Sequence, residues 1–92
     1  MSLIFDPEKV RVDGDTDKVR FRAFDDDKLV LFAVTPEALK NWGSRRGRGH
    51  DDLLDLFSAA EVPIHQIAER KYAAGEVQAD GVILITAKDL NG

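Results

Sequence analysis

The apolar positions of this chain come in short runs, and their spacing switches between that of a strand and that of a helix. Leu3-Ile4-Phe5 is a brief apolar run stopped by Asp6-Pro7, which predicts an edge strand. Val10-Arg11-Val12 alternates and predicts a second short extended piece; Asp13 to Asp17 carries turn chemistry. Val19 to Phe24 alternates strictly, with Val19, Phe21 and Ala23 on one face and Arg20 and Arg22 on the other. Asp25-Asp26-Asp27-Lys28 reads as a polar turn. Leu29 to Val34 is unbroken apolar sequence and predicts a strand covered on both faces. The two strands together predict an antiparallel hairpin.

Helical signals follow. Thr35 can cap, Pro36 suits the first helical position and Glu37 suits the positive end of the helix dipole. Leu39 and Trp42 lie three apart and face the core, and Gly43 is expected to end this helix. From Asp51 to about Ala74 a helical stripe runs through Leu53, Phe57, Ala60, Ile64, Ile67, Ala68 and Tyr72. Pro63 interrupts it, because proline removes a hydrogen bond and clashes with the preceding turn. Ser58 and Glu61 have capping-box spacing, with Phe57 and Val62 placed for a hydrophobic staple. Two helices parted near residues 58–62, or one kinked there, both fit. Gly75 closes the helical region, Asp80-Gly81 is a turn, and Val82 to Thr86 is a strand on which Val77 to Ala79 can pair back. This order predicts a single α+β domain over residues 1–92. Its small antiparallel sheet is made of the N-terminal strands, the hairpin and the C-terminal strand, with two to three helices packed on one face.

Charge narrows the function classes. Seventeen acidic residues outnumber thirteen basic ones, for a net charge of −4. A wholly electrostatic nucleic-acid binder is normally basic overall, so bulk charge argues against one. With no cysteine in the chain, disulfides, thiolate catalysis and cysteine-ligated zinc are excluded. That composition fits a cytoplasmic protein. No apolar run approaches the length needed to span a bilayer, so no membrane partner is expected, and Met1 to Phe5 is too short for a signal peptide.

Against the acidic background, Ser44-Arg45-Arg46-Gly47-Arg48-Gly49-His50 puts three arginines into four positions directly before a helix. Arginine forks match phosphate oxygens, and glycines let a backbone approach closely. Arg45, Arg46, Arg48 and His50 are therefore the candidate anion-binding residues. Asp51 and Asp52 occupy the same helix start, and no Gly-Lys-Ser/Thr follows the glycines, so this is not a P-loop. The alternative is a solvated loop whose arginines offset nearby acids.

Other clusters carry less. Asp13, Asp15 and Asp17 alternate like the start of a calcium loop, but Lys18 stands where that loop needs glycine and Phe24 where it needs the closing glutamate. Glu61, His65 and Glu69 share one face of a continuous helix, and the simpler reading is a polar face opposite the Ile64, Ile67 and Ala68 stripe. Trp42 and Tyr72 are read as core residues. No nucleophile sits in a catalytic setting, and no cofactor fingerprint is present. Neither a catalytic set, a metal site nor a cofactor is expected.

The succession of elements resembles a bacterial family known as domain of unknown function 1488. The likeness runs from Ile4-Phe5 through Val19-x-Phe21 and its acidic turn to Thr35-Pro36-Glu37-Ala38-Leu39. It continues with Leu53-Leu54-x-x-Phe57, Ile64-x-x-Ile67-Ala68, Tyr72-x-x-Gly75 and Ile83-Leu84-Ile85-Thr86, and ends at Asp89. The resemblance implies a small α+β fold and a bacterial origin, and brings no activity or functional residues with it. The function expected from the residues is a non-catalytic interaction module acting through a protein partner or self-association. The alternative is nucleic-acid or phosphate-ligand binding through Arg45, Arg46 and Arg48.

Overall fold

The computed structural model describes residues 3–47 and 52–91. Its elements are β1 (Ile4–Phe5), a single 3-10 turn at Pro7–Lys9, β2 (Arg11–Val12), β3 (Val19–Asp25), β4 (Lys28–Val34), α1 (Pro36–Arg45), α2 (Leu53–Ala59), α3 (Glu61–Ala73), β5 (Val82–Ile85) and α4 (Ala87–Asn91).

Strict alternation in β3 sets the sheet. β3 pairs antiparallel with β4 from Val19↔Val34 to Asp25↔Lys28. Asp26 turns the hairpin with φ of 55°, a conformation that aspartate tolerates better than most residues. β1 and β2 both pair antiparallel with the other edge of β3. The strand order is β1-β3-β4-β5, with β2 also on β3.

The α+β class holds, with one correction inside it. β5 was expected to complete an antiparallel sheet, but it lies parallel to β4, with Leu31↔Val82 to Val34↔Ile85 in register. The sheet is therefore mixed. The cause is the connection: the chain leaves β4 through three helices before it returns, and a parallel neighbour needs a crossover of that kind.

Val19, Phe21, Ala23, Val30, Phe32, Val34, Ile83 and Ile85 form the sheet's inner face, in one core with side chains from α1, α2 and α3. Leu29 and Leu31 alternate with these residues and are exposed on the other face. The run from Leu29 to Val34 is thus not covered on both sides. Only Ala33 is fully buried among its outward residues.

The Thr35 hydroxyl accepts from the Ala38 N–H at 3.2 Å, and Pro36 opens α1. The helix then runs through Gly43, which is buried, and reaches Arg45; the left-handed turn falls at Gly47, φ 71°. Asp52 caps α2 by accepting from Leu54 at 3.0 Å and Asp55 at 3.3 Å. The helical region divides at Ala60 into two helices. Pro63 lies in the first turn of α3, where the backbone N–H groups lack intrahelical acceptors and proline costs little. The expected Ser58 capping box does not form: α3 starts from Ala60 with no side-chain cap, and Val62 is exposed instead of stapled.

Gly75 (φ 73°) ends α3 in a Schellman arrangement, with Glu76 N–H donating to Lys71 O at 3.0 Å and Gly75 N–H to Tyr72 O at 3.1 Å. Residues 77–79 form no strand; Gln78 N–H donates to Val82 O in a turn. The short α4 exceeds the expected set of helices. The Asp89 carboxylate holds it, accepting from Thr86 N–H at 2.9 Å, Thr86 Oγ1 at 3.1 Å and Lys71 Nζ at 2.8 Å. Burial opposes ionisation of Asp89, but the bonds from Lys71 and Thr86 outweigh it and hold the carboxyl below its usual range.

Two glycines separate backbone strain from crowding. A Cβ at Gly75 or at Gly14 would meet nothing within 4 Å, yet only Gly75 has positive φ. Gly75→Ala is expected to destabilise the fold by about 1–2 kcal/mol through its left-handed backbone. Gly14→Ala should be neutral or slightly stabilising. Urea denaturation of the two variants beside the parent checks both.

Candidate functional site

Three regions present chemistry to solvent: the arginine segment, a cleft beside β1, and the outer face of the sheet.

Arg45 and Arg46 end α1, so they belong to a helix terminus. The Arg45 Nη1 donates to Asn91 O at 2.7 Å, which ties α1 to α4. The Arg46 guanidinium lies over the Trp42 ring, 4.4 Å from its centroid, and its Nη1 donates to Trp42 O at 3.2 Å. Cations at a helix C-terminus are favoured there by the dipole. Both guanidiniums keep donors beyond these contacts, since each carries five N–H groups. Arg48 and His50 lie outside the described residues, so the four candidate anion-binding residues are not seen as a set.

The cleft is lined by Phe5, Asp6, Pro7, Val10, Phe21, Phe57, Glu61 and His65 and encloses about 200 Å³. Phe5 points inward because its partner in β3 is the inward Ala23. It meets His65 of α3 in a parallel stack, with ring centres 3.8 Å apart and planes 3° apart. Phe21 and Phe57 close the floor, 5.1 Å apart and tilted. Burial lowers the His65 pKa from its ordinary 6.5, against the raising effect of Glu61 and Glu69. The imidazole is therefore neutral at pH 7. Asp6 is committed elsewhere: one oxygen accepts from Glu8 N–H and the other from Arg22. The Glu61–His65–Glu69 face is thus not a uniformly polar surface. His65 packs against aromatic rings, and among the described residues no group of acids and histidines could hold a metal ion.

On the outer face the register places side chains in rows. Ile4, Phe24 and Leu29 share the row next to the Asp26-Asp27 turn. Arg22, Leu31 and Val82 share the next, then Arg11, Arg20, Ala33 and Leu84. Ile4 is 69% exposed, Leu29 46% and Leu31 42%. Arg20 pairs with Asp13 at 2.9 Å and Arg22 with Asp6 at 3.0 Å. The Asp13 carboxyl is held below its usual range by the Asp15 N–H and by Arg20. The aspartate turn that resembled a calcium loop is thus a ladder clamp for β3. Tyr72 is half-buried rather than in the core, and its hydroxyl donates to Asp25 at 2.7 Å.

The sequence model of a family described as "Protein of unknown function (DUF1488)" matches residues 3–85. The chain belongs to the DUF1488 family. A crystal structure of a DUF1488 protein of unknown function from Shewanella loihica PV-4 has the same fold. The two share 18% sequence identity and a TM-score of 0.79, over 91% of each chain. Comparison with curated proteins gives no match. The DUF1488 match spans every strand, the cleft and the outer sheet face, whereas α4 lies beyond it. Among the described residues no helix is long and apolar enough to cross a membrane.

Sequence reasoning missed the cleft because Phe5 and His65 are far apart in the chain. The available signal was the outward Asp6-Pro7 stop, which forces Phe5 to be the last inward residue of its strand.

The His65 stack makes stability pH-dependent in a defined direction. Its folded-state pKa is lowered, so the stabilisation is complete above 6.5 and is lost as the pH falls from 6.5 through that lowered value. Urea midpoints measured from pH 7.5 downward should decline over that window. His65→Phe should flatten this decline and leave the separate loss below 3.8 that Asp13 and Asp89 generate.

Proposed function

We propose that this DUF1488 protein is a non-catalytic interaction module that self-associates through the outer face of its sheet. The observation that carries the reading is the exposure of Ile4, Leu29 and Leu31 on one face, outside the core that the helices share with the opposite face. Exposed apolar patches rimmed by polar residues mark interaction surfaces.

The charge pattern favours a second copy as the occupant. Along β3 and β4 the outer face runs from the acidic Asp26-Asp27 turn, through the apolar Ile4–Phe24–Leu29 row, to Arg22, Arg20 and Arg11. A two-fold axis between the facing sheets, perpendicular to the strands, sets each acidic turn against the partner's arginine rows. It also sets the Phe24 row against the partner's Leu31 row. Such an interface is self-complementary, as two-fold dimers require. Arg11 is exposed and has no ion pair among the described residues, so it is available to the partner's Asp27.

Light scattering after size exclusion, run over a concentration series, tests this. The parent should dimerise, and Leu31→Glu should be monomeric while keeping the parent's circular dichroism spectrum. Arg11→Glu should weaken the dimer, and mixing it with Asp27→Lys should restore association as a heterodimer. A parent that stays monomeric at the highest concentration, or a dimer indifferent to Leu31→Glu, overturns the proposal.

A further inference from the structure

The cleft beside β1 lies on the helix side of the sheet, away from the face just described, and its chemistry is of a different kind. Its walls are the phenyl rings of Phe5, Phe21 and Phe57 and the neutral imidazole of His65. Aromatic rings present negative π-faces, which attract cations and repel anions. Glu61 stands among the lining residues, exposed, with no hydrogen bond or ion pair among the described residues. The other lining carboxylate, Asp6, already accepts from Glu8 N–H and is ion-paired with Arg22. Glu61 is therefore the one lining carboxylate free to meet a ligand charge.

We propose that this cleft binds a small organic cation, an ammonium or guanidinium group on a short apolar or aromatic stem, with the stem among Phe5, Phe21, Phe57 and His65 and the charge at Glu61. The size fits that class. A cavity of about 150 Å³ accepts a benzene ring, so the roughly 200 Å³ here holds one ring with a short charged extension. It falls below the range of about 300–1,000 Å³ that houses larger ligands. The Phe5–His65 stack fixes one wall in place, so the site needs little rearrangement to accept a guest.

Charge is the discriminating property, because α3 begins at Glu61 and the positive end of a helix dipole would otherwise favour an anion. Three probes of one ring size separate the possibilities: benzylammonium, benzyl alcohol and benzoate, each titrated into labelled protein with amide NMR detection. Benzylammonium should give saturable shifts at Phe5, Asp6, Phe57, Glu61 and His65. Benzyl alcohol should bind about fivefold more weakly, the factor expected of a partly exposed cation–π and carboxylate contact. Benzoate should bind more weakly still. Glu61→Gln, at an exposed position, should weaken benzylammonium toward the affinity of the alcohol while leaving benzyl alcohol binding unchanged. Equal binding of the amine and the alcohol, tighter binding of benzoate, saturable shifts elsewhere only, or no saturable shift with any probe would each overturn the proposal.

Discussion

The hydrogen-bonded ladder between β3 and β4 carries seven residue pairs, from Val19↔Val34 to Asp25↔Lys28. Side chains alternate across a sheet, so slipping β3 by one residue against β4 would turn Val19, Phe21 and Ala23 to solvent and bring Arg20 and Arg22 into the core. Nothing in the helices could offset that. The outer strands take their positions from this register: β1 sends Phe5 inward because it meets Ala23, and β5 sends Ile83 and Ile85 inward because it meets Phe32 and Val34. Three contacts outside the ladder hold it in phase. Asp13 and Asp6 clamp Arg20 and Arg22 on the outside, and the Tyr72 hydroxyl reaches from α3 to Asp25 at the turn end.

The parts of the fold that local chemistry dictates were legible in the sequence. Val19 to Phe24 could be read because only a strand explains strict alternation of apolar residues with arginines. Thr35-Pro36 could be read because capping chemistry is local. The direction of β5 was not legible: Val82 to Ile85 is equally apolar whether it runs with or against β4, and only the crossover through the helices decides. Leu29 and Leu31 were misleading for a related reason, since an apolar run signals burial on both faces even where one face is open. Gly43 looked like a helix end, yet Gly47 supplies the left-handed turn four residues later. The spacing of Thr86 and Asp89 was the overlooked signal for α4, a hydroxyl followed three residues on by an acid.

The candidate surfaces follow a similar division. The arginine segment was visible because three arginines in an acidic chain stand out, but Arg45 and Arg46 are partly occupied in tying α1 to α4 and covering Trp42. The outer sheet face is the residue of the hairpin's alternation. Covering Val19, Phe21 and Ala23 with helices leaves Arg20, Arg22 and Phe24 outside, and among the described residues no second helical layer meets them. The cleft arises where β1 ends early: Asp6-Pro7 turns the chain away above Phe21 and Phe57, which stay buried at its floor, and His65 fills only part of the gap.

The parallel pairing of β5 with β4 also bears on the order in which the chain can assemble. Leu31 must find Val82 across the whole helical region, whereas the hairpin closes over a two-residue turn. Closing a long loop costs entropy before any contact repays it, and non-local pairings slow folding for that reason. The hairpin and its helices are thus the natural early structure, and β5 with α4 the last to dock. During synthesis the inner face around Phe32 and Val34 must wait uncovered along one edge until β5 is made.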